Sequence, residues 1–184
     1  KKRLKSHMKI KHLIFTSIVC FSCSKIEPRK PINPKPSSTI LQETLQESIK
    51  LNVLENSRIL SLIEKDSTKN YQVSPNGFWY TYINKIQEIK TTPKIGDVVS
   101  IHYDIADLQG NTIYGKEELG VKHYRVDKED FISALQTGIK LMKVGETITF
   151  VIPSYKAFGV SGDGKKIGIN QSIKSTVTLI NINN

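Results

Sequence analysis

From residue 72 onward a single helical period is set within sequence otherwise written at strand period, and that contrast limits the folds open to it. Phe131, Leu135, Ile139 and Met142 recur at three- and four-residue steps, and Gly145 ends the pattern. Elsewhere the spacing is two. Phe78, Tyr80 and Tyr82 alternate with Trp79, Thr81 and Ile83 after a Ser74-Pro75-Asn76-Gly77 turn. Val98 to Ile105, Thr112 to Tyr114, Thr147 to Ile152 and Ser172 to Ile182 also read as extended chain, with a turn at Gln109-Gly110-Asn111. One helix against mainly antiparallel strands is an α+β arrangement.

Four segments of this half follow one another in a telling order. They are Gly96-Asp97-Val98-Val99-Ser100-Ile101-His102-Tyr103, Phe131-Ile132-Ser133-Ala134-Leu135-Gln136-Thr137-Gly138, Lys143-Val144-Gly145-Glu146, and Ile152-Pro153-Ser154-Tyr155-Lys156-Ala157-Phe158-Gly159. No one segment is distinctive, but in this order and spacing they resemble the FKBP-type peptidyl-prolyl cis-trans isomerases, over roughly residues 72 to 184. The resemblance implies an antiparallel sheet wrapped around one amphipathic helix, here with an additional N-terminal helix. It also implies an isomerase that uses no cofactor and no metal. Amide resonance sets a barrier of ~18–20 kcal/mol to prolyl rotation. An apolar, aromatic-lined pocket that grips the ring and strips water from the carbonyl favours the twisted bond.

Carried over position by position, the resemblance implies catalytic roles for Tyr103, Tyr114, Phe131, Ile132 and Phe158, and substrate-binding roles for Tyr124, Leu135 and Ile167. Four positions depart from the family pattern. Phe158 stands in place of a tyrosine, Gly115 of an aspartate, Leu135 of a tryptophan and Ser175 of a phenylalanine. Without the pattern, Tyr103, Phe131 and Leu135 would read as core. The histidines lack metal-ligand spacing. Gly162-Asp163-Gly164-Lys165-Lys166 reads as a solvated flap turn, and Asp127, Glu129 and Asp130 as acids leading a helix, where its dipole favours them. The segment Gly162 to Gln171 is similar to the flap of gliding motility-associated FKBP-type lipoproteins of Bacteroidetes, where other FKBPs carry Ile-Pro-Pro.

The formal net charge of +10 raises nucleic acid as a partner, but its location does not support one. Residues 39 to 184 carry 17 of the 27 basic and 16 of the 17 acidic side chains, so this part is nearly neutral and no nucleic-acid partner is expected. The excess lies at the N-terminus. There Met8, Lys9 and Lys11 precede the apolar run Leu13 to Phe21, shorter than the about 20 residues a membrane span needs, so residues 1 to 22 read as an export signal. Lys1 and Met8 both stand as start residues. Cys20 and Cys23 form a C-x-x-C, but a thioredoxin-like motif needs a strand and a helix N-terminus around it. Cys23 after small Ser22 instead resembles the lipidated cysteine of bacterial lipoproteins, which implies a lipid membrane as partner.

Residues 23 to 38 then read as a tether, with four of the seven prolines. The absence of an acidic tract after Cys23 favours the periplasmic face of the outer membrane. Residues 39 to 70 read as a helix capped by Thr39 and Gln42, with Leu41, Leu45, Ile49, Val53, Leu60 and Ile63 on its apolar stripe. That stripe packs either on its own domain, residues 71 to 184, or on a second copy as a homodimer. Two functions follow: an isomerase and folding helper for prolyl-containing envelope proteins, serving gliding motility, or a non-catalytic chaperone or assembly lipoprotein.

Overall fold

The structure is a computed structural model and describes residues 37–88 and 90–183. Helix α1 spans Ser37–Lys65. Strands β1 (Gln72–Ser74), β2 (Phe78–Asn84), β3 (Val98–Tyr103), β4 (Ile105–Ala106) and β5 (Thr112–Tyr114) follow, then the one-turn α2 (Lys116–Leu119) and β6 (Val121–Arg125). Helix α3 (Ser133–Ile139), β7 (Thr147–Ile152), a 3₁₀ turn at Ser154–Lys156 and β8 (Ile173–Asn183) complete the order. The residues from Glu43 onward form one unit, and Ser37 to Gln42 are the first turns of α1.

All strand pairs are antiparallel, in the order β1-β2-β7-β8-β3-β6, with the short β4 and β5 attached beside β8. Alternation along the strands divides two cores. Phe78, Phe150 and Ile152 point to one face, where they pack with Leu135, Ile139 and Met142; Trp79 and Val151, register partners in β2 and β7, point to the other. That second face is covered by Ile59 of α1, fully buried, with Ile63, Tyr71 and Leu108 around it. The sheet therefore carries α3 on one side and the C-terminal half of α1 on the other. The segment Lys143 to Glu146 makes a tight turn, with Gly145 at φ +90° donating its N–H to Leu179. The buried Glu146 carboxylate is held by the N–H groups of Ile86 and Lys143, at 3.0 and 2.8 Å.

Three expectations need correction. Helix α1 begins at Ser37, so Thr39 lies inside its first turn instead of capping it, and it ends at Lys65, not residue 70. Asp66 stops it: its N–H reaches back to Leu62 and Ile63, and its carboxylate takes the Thr68 hydroxyl at 2.6 Å. The apolar stripe is also misplaced. Leu41, Leu45, Ile49, Val53 and Leu60 are exposed, and of the expected stripe Ile63 alone packs, on a face that otherwise consists of Glu55, Asn56 and Ile59. Lastly, Asp127, Glu129 and Asp130 precede α3 without belonging to its first turn, which has no acid. Asp127 sits at φ +55° and pairs with Lys140 at 2.8 Å.

Candidate functional site

The end of β3, the end of β5, the chain entering α3 and the long loop between β7 and β8 meet at one end of the first core. Residues 153 to 172 of that loop form a flap. Tyr103, Tyr114, Tyr124, Phe131, Ile132, Leu135, Phe158 and Ile167 all belong to a single apolar cluster. Phe131 is its hub. Its ring stands edge-on to Tyr103, centroids 5.5 Å apart and planes at 86°, and lies 5.4 Å from Tyr124. Tyr124 and Leu135 are fully buried, so they floor the site, while Tyr114, Phe131 and Phe158 keep partial exposure and form its rim. Ile132, Tyr103 and Ile167 lie between, each less than one-tenth exposed. The Tyr124 hydroxyl accepts the Asp127 N–H at 3.0 Å and so holds the turn before α3.

The flap is ordered by its own backbone. Gly159 N–H donates to Ser154 O at 2.8 Å, Asn170 N–H to Gly159 O at 2.9 Å, and Asp163 N–H to Ile167 O at 3.2 Å. Gly162 has φ +64°, and a Cβ there would meet Ile167 O at 2.3 Å, so only glycine allows the tip to close on itself. The Asp163 carboxylate accepts the Lys165 and Ile167 N–H groups, each at 2.8 Å, and the Tyr114 hydroxyl in a short bond. That phenol bond holds the Asp163 carboxyl down at about 2, and the same bond pushes the Tyr114 phenol above its ordinary range. Burial alone raises the Tyr103 phenol. Lys166 lies 4.6 Å from the Tyr114 ring centroid and pairs with Glu118 at 2.6 Å, and Lys122 lies 5.3 Å from the Phe131 centroid.

Asp163 is the residue that sequence reasoning passed over. The sequence pattern predicts a solvated turn there, yet Asp163 ties the flap tip to the rim tyrosine. The available signal was Asp flanked by two glycines with backbone donors two and four residues on, the pattern of an Asx turn. Of the four departures, Gly115 precedes α2 as its N-cap and brings no carboxylate. Ser175 is buried, and its hydroxyl donates to Asp104 O at 2.7 Å. Phe158 brings no hydroxyl. Cys23 lies outside the described residues, and within them no three His, Cys, Asp or Glu side chains gather to hold a metal ion. A cleft of about 570 Å³ opens away from the cluster, between α1, the turn at 107–109 and the feet of the flap.

An apolar, aromatic-rimmed site suits a reaction that breaks no covalent bond. Comparison with known proteins leads the same way. The profile of the FKBP-type peptidyl-prolyl cis-trans isomerase family matches residues 89–180. A peptidyl-prolyl cis-trans isomerase of Bos taurus, FKBP10, is 30% identical over 83 residues, which are 45% of this chain and 14% of that protein. This chain thus spans only a small part of that relative. The crystal structure of FkpA from Escherichia coli superposes with a TM-score of 0.59 at 22% identity, over 82% of this chain and 75% of FkpA. A peptidyl-prolyl cis-trans isomerase from Pseudomonas syringae pv. tomato gives 0.58 at 16%, over 83% of this chain and 99% of its own. At such identity these two establish the fold.

Proposed function

The chain belongs to the FKBP-type peptidyl-prolyl cis-trans isomerase family, and we propose that it works as an isomerase and folding helper for proteins of the cell envelope, held at the outer membrane through acylated Cys23. The observation that carries the catalytic part is the convergence of Tyr103, Tyr114, Phe131, Ile132, Phe158 and Ile167 on one apolar cluster under an ordered flap. A prolyl ring seated against Phe131 between Tyr103 and the Phe158 rim leaves water behind. The polar, planar amide loses solvation there, while the twisted amide, with less charge separation, loses less. No proton need move. Phe158 withholds one hydroxyl donor from the substrate carbonyl, a loss on the order of 1 kcal/mol, so turnover is slowed without being abolished.

The anchor rests on the sequence at Cys23, and a role in gliding motility rests on the flap resemblance at Gly162 to Gln171. The test of catalysis is protease-coupled isomerisation of an Ala-Leu-Pro-Phe-type peptide by the full chain beside Phe158→Tyr. Wild-type activity that rises in the variant supports the reading. A folded chain that leaves the uncatalysed rate unchanged overturns it. A second reading, a non-catalytic chaperone or assembly lipoprotein, draws on the missing groups at Gly115 and Phe158 and on the exposed Leu45, Ile49 and Val53 of α1. It fails if Tyr103→Ala abolishes cellular function in a protein that stays folded and partner-bound.

A further inference from the structure

One carboxylate from α1 closes both feet of the flap. Glu55 Oε1 accepts the Ser154 N–H at 2.6 Å and the Ser172 hydroxyl in a short bond, and Oε2 accepts the Ser154 hydroxyl at 2.9 Å. Ser154 follows β7 after Pro153 and Ser172 lies directly before β8, so the two serines bracket the loop that carries Phe158 and Ile167. Beside them the Tyr155 hydroxyl donates to Asn56 at 3.1 Å. The flap is thus a ladder whose rungs are Glu55 at the base, the Gly159–Asn170 bond above it and the Asp163–Ile167 pair at the tip. The upper rungs belong to the flap itself. The lowest is supplied by α1, separated by 99 residues from Ser154 and by 117 from Ser172, while the tip is tied in addition to Tyr114 of β5 through Asp163.

We infer that Glu55 is a positioning residue for the isomerase reaction, setting the spacing of the flap feet and through it the placement of Phe158 and Ile167 over the prolyl site. The inference rests on the proposed isomerase reading. Glu55 touches no part of the site itself and acts through Ser154 and Ser172. Ser154 is buried, 4% exposed, so its N–H has no ready exchange with water once the acceptor is gone. The flap must then shift to find another partner. The second face of the sheet makes this arm rigid: Ile59, one turn beyond Glu55, is fixed against Trp79 and Val151. The requirement is for hydrogen bonding, not for charge. A glutamine amide matches the three groups, because its oxygen takes the Ser154 N–H and the Ser172 hydroxyl while its NH₂ donates to Ser154 Oγ.

The experiment compares Glu55→Leu, Glu55→Gln and Ser172→Ala in the full chain. It reads kcat and KM on a prolyl tetrapeptide, amide hydrogen exchange at Gly159 and Asn170, and Trp79 fluorescence as a check of the fold. Glu55→Leu keeps the bulk and removes both acceptors. It is expected to lose about tenfold in kcat/KM, mainly through KM, with faster exchange at the two flap amides. Glu55→Gln is expected to retain most of the activity, which a general weakening of the helix would not produce. A folded Glu55→Leu with wild-type kcat/KM or wild-type flap protection overturns the inference. If that variant fails to fold, Ser172→Ala decides, since it frees one foot only: wild-type kcat/KM with unchanged exchange at Asn170 refutes, and loss of both supports. A wild type that binds the peptide without turning it over defeats the catalytic reading alone. The inference then stands or falls on whether Glu55→Leu weakens peptide affinity. A wild type that does neither defeats both.

Discussion

Helix α3 approaches the sheet through Gly138, and replacing that glycine by alanine tests whether the approach is as close as the packing requires. A Cβ at this position would lie 2.4 Å from Cε1 and 2.7 Å from Cζ of Phe150. Carbon atoms rest at about 3.5–4.0 Å, so one of them has to give by about 1 Å. Phe150 has little room to do so. It is fully buried, edge-on to Phe78 at 5.9 Å and tilted against Tyr80 at 6.4 Å. Overpacking a filled core costs ~1–3 kcal/mol, against ~1 kcal/mol gained from the better helix propensity of alanine. The net expectation is a loss of up to about 2 kcal/mol. Urea unfolding should show a lower midpoint with an unchanged slope. In a double-mutant cycle with Phe150→Leu, the cost of Gly138→Ala should shrink, because a smaller, flexible side chain yields the space. A Gly138→Ala protein that gains the full ~1 kcal/mol of alanine's helix propensity refutes the argument, since the helix would then have been free to ride outward.

Other consequences can be measured directly. Ile59→Ala removes the fully buried residue of the second core and should cost ~2–5 kcal/mol, with a red shift of Trp79 emission as water reaches the indole; unchanged emission would place α1 elsewhere. Gly162→Ala should lower the unfolding midpoint by the equivalent of ~1–3 kcal/mol and depress kcat/KM, because its Cβ at positive φ collides with Ile167 O at the flap tip; an unchanged midpoint would mean that the tip does not close in this way. Asp163 has its folded carboxyl lowered from 3.8 to about 2, so its contribution to stability is fully present above 3.8 and lost as pH falls through about 2. Unfolding midpoints between pH 5 and pH 2 should therefore decline more steeply in wild type than in Asp163→Asn, and parallel curves would mean that the Tyr114 bond does not persist in solution.

The fold was legible where burial obeys the period of the element. Phe78 against Trp79, and Phe150 against Val151, send neighbours to opposite cores, so the strands announced themselves. Leu135 and Ile139 did the same for α3. Helix α1 misled for a physical reason. Its packed face meets the indole of Trp79 at one point and backbone and hydroxyl donors at another, so it mixes Ile59 with Glu55 and Asn56 and never forms an unbroken apolar stripe. The stripe that does stand out, through Leu45, Ile49 and Val53, belongs to the exposed side. Periodicity reports which residues are apolar; it cannot report that the opposing surface is polar.

The site shows the same division. The apolar residues implied by the family resemblance come together because each closes one core, and any fold of this type must bring them there. The polar control of the flap could not be read in that way. Asp163 binds Tyr114 across 49 residues and Glu55 binds Ser172 across 117, and neither separation leaves a trace in spacing. Yet these two carboxylates hold the flap at opposite ends, tip and feet, on either side of Phe158. A rim residue without its own hydroxyl can fix a substrate only by its position. The more a site depends on shape, the more its performance rests on the groups that hold the shape, and here the Tyr114 phenol of β5 and the Glu55 carboxylate of α1 both lie outside the loop they hold.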